Sequence, residues 1–185
     1  NQVVLKHYHG AAELGGYAAA WVMVALVSTF LAQIARIGKP ATARITSGSA
    51  TRQEKLQFLI KYGLVMALLA LPATIIVVAV PELILEVLFF PEYAAAAPAL
   101  QVMGIYMVIF SVGQVASQYM VSARLDKAYT AYVVLGGGLG FIMCILLIPP
   151  MGALGAALAL VFSHGFSILM YWRKVLLSLK SFSSV

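Results

Sequence analysis

Charged residues divide this 185-residue chain into long uncharged stretches. Leu14 to Ala35 is 22 positions between Glu13 and Arg36, Tyr62 to Val80 is 19 before Pro81, and Tyr93 to Ala123 is 31. Ala128 to Trp172 is 45, cut by Pro149-Pro150 into pieces of 21 and 22. A helix needs about 20 apolar residues to cross a hydrocarbon core of about 30 Å. The pattern predicts five complete spans, at about 14–36, 58–80, 97–121, 129–149 and 152–173. Each must be helical, because lipid offers backbone N–H and C=O groups no partner. The predicted fold is an all-α membrane protein, a bundle of five complete transmembrane helices.

Local signals refine these spans. Thr51-Arg-Gln-Glu54 fits a capping box and starts the second helix near Arg52. Pro72 lies inside that helix and predicts a kink, whereas Pro98 suits the first turn of the third. PELILEVLFFPE is too short to cross. Glu82 and Glu86 share one helical face, which predicts an interfacial half-helix. Tyr17, Trp21, Tyr62, Tyr93, Tyr129, Tyr171 and Trp172 sit near the predicted water boundaries, as anchoring aromatics do. Gly136 and Gly140, thickened by Gly137 and Gly138, make a small-residue face, and Gly152/Ala156 and Ala153/Ala157 make another. Such faces serve either packing within one bundle or a dimer contact. NQVVLKHYHG lacks the layout of a signal peptide and reads as the end of an earlier span. The expected organisation is thus a truncated span and outer loop at 1–11, a five-helix lobe at 12–176 and a cytoplasmic tail at 177–185.

Composition narrows the class. The chain is 63% hydrophobic and 10% charged, and its mean hydropathy is +0.98. Soluble domains are about 45–50% apolar and about 25% charged, which argues against a soluble enzyme, a disordered segment or a nucleic-acid-binding domain. The single cysteine, Cys144, lies in an apolar run and has no internal partner. The net charge of +6 follows from topology. Arg36, Lys39, Arg44, Arg52, Lys55, Lys61, Arg124, Lys127, Arg173, Lys174 and Lys180 fall on one side of the predicted membrane, which leaves Lys6 with Glu13, Glu82, Glu86 and Glu92 on the other. The positive-inside rule makes the basic side cytoplasmic. The expected location is the cell membrane, multi-pass, with a cytoplasmic C-terminus.

Polar residues inside the spans are the candidates for function. Gly104, Ser111, Gln114, Gln118 and Ser122 recur at intervals of 7, 3, 4 and 4, one stripe on the third helix. Thr29, Gln33 and Arg36 form a second stripe on the first. Two such stripes line a water-filled cavity or hydrogen-bond one helix to another. Arg36 and Lys61 either snorkel at the boundary or attract an anionic headgroup. His164, with Ser167 and Tyr171, forms a short polar face, a proton relay or a histidine bonded to a neighbouring helix. His7 and His9 flank Tyr8 without metal-ligand spacing, and no catalytic triad or phosphate loop is present. The chain is therefore not read as an enzyme, and no metal or cofactor is expected.

The order of several motifs carries a resemblance. PELILEVLFFPEYAAAAPAL, then the basic turn ARLDKAY, a Gly-rich span and LLIPPMGALGAALA, resembles the C-terminal part of polysaccharide flippases. Upstream, GAAELGGYAAA is similar to the G-x-x-x-x-G-x-Y-x-x-A start of that family's eighth span. The match runs from about Gly10 to Lys174. It implies the multidrug/oligosaccharidyl-lipid/polysaccharide (MOP) transporter superfamily, whose members have two similar lobes that give alternating access to a central cavity. This chain would hold spans eight to twelve. The family lines its cavity partly with spans eight and ten, the two that carry the polar stripes here.

The resemblance implies a flippase that carries an undecaprenyl-diphosphate-linked oligosaccharide from the inner to the outer leaflet, for O-antigen (lipopolysaccharide) or exopolysaccharide synthesis. Thr29, Gln33, Ser111, Gln114 and Gln118 suit sugar hydroxyls and Arg36 suits phosphate. The implied partners are the lipid-linked oligosaccharide, membrane lipids, an N-terminal lobe of the same protein and a polysaccharide polymerase, with no nucleic acid. The alternative is a drug/cation antiporter of the same superfamily, which would want a buried carboxylate. A membrane polymerase or ligase would want a sizeable outer loop bearing arginines or acids. A purely structural anchor would not need polar stripes.

Overall fold

A computed structural model describes residues 2–48 and 50–181. Six α-helices follow one another, with no strand among the described residues: α1 Gln2–Ile37, α2 Lys39–Ser47, α3 Arg52–Ala79, α4 Pro81–Leu88, α5 Ala97–Ser122 and α6 Asp126–Ser181. A 3-10 turn at Pro91–Ala96 leads into α5. Four helical stretches are long and apolar enough to cross a membrane, namely Gln2–Ile37, Arg52–Ala79, Pro91–Ser122 and Asp126–Leu179.

The expected five helices become four because 129–149 and 152–173 belong to one element. A straight helix of 56 residues would be about 84 Å long. α6 instead folds back on itself at Gly152, where φ is 55° and ψ is −129°. The Tyr129 and Tyr171 rings stand 5.3 Å apart, and Ser167 Oγ lies 3.4 Å from the Tyr132 carbonyl. The arms 126–151 and 153–181 thus run antiparallel. Pro149 and Pro150 were expected to mark the cut. Their fixed φ near −65° is compatible with helix, so the chain stays helical through them. Reversal needs a positive φ, which Gly152 supplies without steric cost.

The other local expectations can be compared directly. Thr51 Oγ1 accepts from Glu54 N at 3.3 Å, and the Glu54 carboxylate accepts from Thr51 N at 2.7 Å, which closes the capping box. Pro98 lies in the first turn of α5. Glu82 and Glu86 are exposed on α4, while Leu85 is buried beneath them. Residues 2–9 join α1 through a break at Gly10, φ 84°, and Leu5 is fully buried. α3 keeps helical backbone angles through Pro72. Residues 177–181 continue α6, whereas 182–185 lie outside the described residues. α2 is an addition: the segment between α1 and α3 has no apolar periodicity, yet it forms a short helix with Thr42 buried.

α5 is the centre of the bundle. Half of its most apolar window is buried, against 33% or less in the other three crossing helices. It packs on α1, α3 and both arms of α6. One cluster gathers Tyr17, Leu85, Met103 and Ile148 toward the Glu13–Pro149 end, and a second gathers Leu59, Val115, Tyr119 and Val175 toward the opposite end. Large apolar side chains face outward all round, among them Leu26 at 68%, Phe30 at 66%, Val134 at 66% and Phe141 at 64% exposure. Contiguous apolar surface of this extent marks contact with lipid or another apolar partner.

Small residues set the helix spacing. A Cβ at Gly136 would lie 1.8 Å from Ser167 Oγ, and one at Gly140 would lie 3.0 Å from Ser163 Cβ. Gly136 and Gly140 therefore serve packing within the bundle, arm against arm of α6. Gly137 and Gly138 meet nothing within 4 Å.

Candidate functional site

Basic side chains gather at one end of the bundle, where Glu54 and Asp126 also lie. Arg36 and Lys39 lie beside Gln118 and Tyr129, near the α5–α6 turn that carries Arg124 and Lys127. At the other end His9 Nδ1 lies 3.1 Å from Glu13 Oε2, and His9 Nε2 lies 2.9 Å from the Ile148 carbonyl. The first is the basic end of the bundle and the second, with Glu13, the acidic end.

Between α5 and the two arms of α6 lies a cavity of about 360 Å³. α5 contributes Gln114 and Ser117, the outgoing arm Tyr129 and Gly136, and the returning arm Ser163, His164 and Ser167. A second cavity, about 460 Å³, opens at the basic end and is lined by Arg36, Lys39, Gln114, Ser117, Gln118, Ser122 and Tyr129. Gln114, Ser117 and Tyr129 line both. The two therefore adjoin, and together they run from the basic end to His164, with these polar groups set among apolar walls that include Phe110, Val133 and Ile168.

The hydroxyls along this path bond mainly to backbone. Ser117 Oγ donates to the Gln114 carbonyl at 2.9 Å, Ser163 Oγ to Leu160 at 3.0 Å and Ser167 Oγ to Ser163 at 3.1 Å. Each oxygen keeps acceptor capacity for a solute. His164 Nδ1 lies 3.1 Å from the Leu160 carbonyl, so that nitrogen must carry the hydrogen, and Nε2 of the neutral ring is then an acceptor. The His164 ring meets Tyr106 edge-on at 5.0 Å. Among the described residues no group of three or more His, Cys, Asp or Glu side chains could hold a metal ion.

Gln118 has a different role from its neighbour Gln114. It is buried, and its Nε2 donates to the Ala35 carbonyl at 2.9 Å. The same carbonyl accepts from Tyr62 Oη at 2.5 Å and from Gly38 N at 3.1 Å. Gln118 thus ties α5 to the end of α1. Its Oε1 is buried without a partner among the described residues.

Of the sequence-derived site residues, Arg36, Gln114 and Gln118 come together in the basic cavity, and His164 joins through the shared wall. Thr29 and Gln33 do not line these cavities: they lie on the exposed face of α1, where Gln33 Oε1 accepts from Arg36 Nη1 at 3.2 Å. Ser111 is fully buried and donates to its own helix at Val108. Gly104, at the head of the stripe, packs on Val77 and Val78 of α3. The stripe on α5 is thus split between packing and cavity. Sequence reasoning missed Ser117, Tyr129 and Ser163 as cavity residues. Ser163 and Ser167 stand one turn apart, a signal that was legible only in part.

No protein-family model matches the chain. No solved structure matches it either. A stretch of 104 residues, 56% of the chain, is 28% identical to the uncharacterized membrane protein MJ1068 of Methanocaldococcus jannaschii. That stretch spans about a fifth of the relative's length. The helical architecture, the four crossing-length helices and the outward apolar surface define an all-α membrane protein.

Proposed function

We propose that this chain is the C-terminal, five-span lobe of a MOP-superfamily flippase, with each arm of α6 counted as one crossing. It moves an undecaprenyl-diphosphate-linked oligosaccharide from the cytoplasmic to the outer leaflet of the cell membrane. The observation that supports this reading is the joined pair of cavities: a cationic mouth at Arg36 and Lys39, then amide, hydroxyl and imidazole groups placed along a largely apolar wall as far as His164. Diphosphate engages the mouth, sugar hydroxyls exchange hydrogen bonds with Gln114, Ser117 and Ser163, and the lipid tail stays in the bilayer. Thr29 and Gln33 face the N-terminal lobe, which closes the cavity. Two lobes rocking against each other open it alternately to either side. His164 Nε2 can take up a proton during the cycle.

A drug/cation antiporter of the same superfamily has less support. Glu13 lies three residues past the break at Gly10 and is bonded to Ala153 N, the other carboxylates lie near helix ends or in connecting segments, and none lines the path.

The test is export in cells that depend on the full-length protein. Gln114→Leu should cut surface polysaccharide about fivefold, the worth of one lost substrate hydrogen bond, at unchanged protein level. Normal export from Gln114→Leu and Arg36→Ala variants would remove the reading.

A further inference from the structure

A second groove, separate from the joined cavities, lies at the basic end between the start of α3 and the last turns of α6. It encloses about 580 Å³ and shares no lining residue with those two cavities. Half-buried Leu56 and the exposed Leu169 and Leu176 make its lining apolar, and Arg52 and Arg173 are exposed at its rim. Among the described residues neither guanidinium has a carboxylate partner. Trp172 also lines the groove, and its Nε1–H is buried with no hydrogen-bond partner among the described residues.

This combination selects its occupant. A small soluble anion would gain nothing from a leucine lining. A zwitterionic lipid would leave the two arginines without net countercharge. We propose that the groove binds an anionic phospholipid of the surrounding leaflet, its phosphate between Arg52 and Arg173 and an acyl chain along Leu56, Leu169 and Leu176. Trp172 stands at the groove wall as interfacial tryptophans do, while its N–H is turned into the protein and takes no part in holding the lipid. Arginine is suited to the phosphate because its fork donates two hydrogen bonds to one group. This site is independent of the transport reading and would stand if that reading failed.

The test uses Trp172 as its reporter. A Trp21→Phe variant of the 185-residue chain has Trp172 as its one tryptophan. It is reconstituted in phosphatidylcholine bilayers with increasing phosphatidylglycerol, with bromine on the acyl chains of one lipid or the other. Brominated phosphatidylglycerol should quench Trp172 with an apparent affinity at least about fivefold above that of brominated phosphatidylcholine, since each basic residue near an anionic surface contributes a preference of about that size. Arg52→Gln/Arg173→Gln should bring the two lipids to parity. Lys127→Gln, at the same end but outside the groove, should leave the preference intact. Equal quenching by both lipids would overturn the proposal, as would a preference that survives the double substitution or is lost equally in Lys127→Gln. Quenching by neither lipid would mean that a protein segment fills the groove, and would overturn it too.

Discussion

Glu13 and Ala153 are 140 positions apart, yet Glu13 Oε1 accepts a hydrogen bond from the Ala153 backbone N–H at 2.7 Å. The bond satisfies the first donor after the turn at Gly152 and fixes that turn to α1. Glu13→Ala should lower unfolding free energy by about 1–2 kcal/mol, the worth of a partly exposed hydrogen bond to a charged group. Glu13→Gln, which keeps an acceptor oxygen, should lose less than half of that. Unfolding in mixed micelles, followed by circular dichroism, measures both. Equal losses would mean that charge and not the hydrogen bond matters.

Glycines in α6 should differ sharply. A Cβ at Gly155 would lie 2.1 Å from the Leu147 backbone oxygen, whereas one at Gly137 or Gly138 meets nothing within 4 Å. Gly155→Ala must push the two arms apart and should destabilise by about 2 kcal/mol or more, as overpacking does. Gly137→Ala and Gly138→Ala should be neutral or mildly stabilising, since alanine is the better helix former. The same unfolding assay ranks the three.

Arg124 holds a left-handed conformation, φ 56°, just past the end of α5. Leu125 N donates to Met120 O at 2.8 Å and Arg124 N to Val121 O at 3.1 Å, the paired bonds of a Schellman cap. Glycine is the usual residue there. Arg124→Gly should stabilise the chain by about 1 kcal/mol through relief of the Cβ clash. A fall in midpoint would show that the arginine side chain contributes more than its backbone costs.

Under the proposed flippase function, Gln114 and Gln118 should separate transport from assembly. Gln118→Leu removes the tie to Ala35 and should lower both stability, by about 1 kcal/mol, and export in the full-length protein. Gln114→Leu, half-buried and facing both cavities, should lower export alone. Protein level in membranes beside surface polysaccharide distinguishes the two effects.

Orientation can be read from single cysteines in a Cys144→Ala background. With the basic end cytoplasmic, Glu92→Cys should react with an impermeant thiol reagent in intact cells. Lys127→Cys should react only after permeabilisation. The opposite pattern would invert the assignment.

What the sequence by itself determined rests on local chemistry. Uncharged run length named the helical membrane class, Thr51 and Glu54 fixed the start of α3, and the spacing of basic residues placed Arg36 and Lys39 at the same end as the α5–α6 turn. Tertiary structure decided which faces meet. Lipid and protein interior are equally apolar, so hydrophobicity does not mark the buried side of a membrane helix. Met103 is buried and Ile105 is half-exposed on the same helix. Small residues and close backbone approach decide instead, as at Gly136 against Ser167. For the same reason a single polar stripe on α5 was divided, with Ser111 used for packing, Gln118 for both the tie to Ala35 and the cavity wall, and Gln114 left for the cavity. The reversal of α6 at Gly152, and not at the prolines before it, depends on a positive φ stabilised by Glu13 from the far end of the chain, a contact that no local pattern encodes.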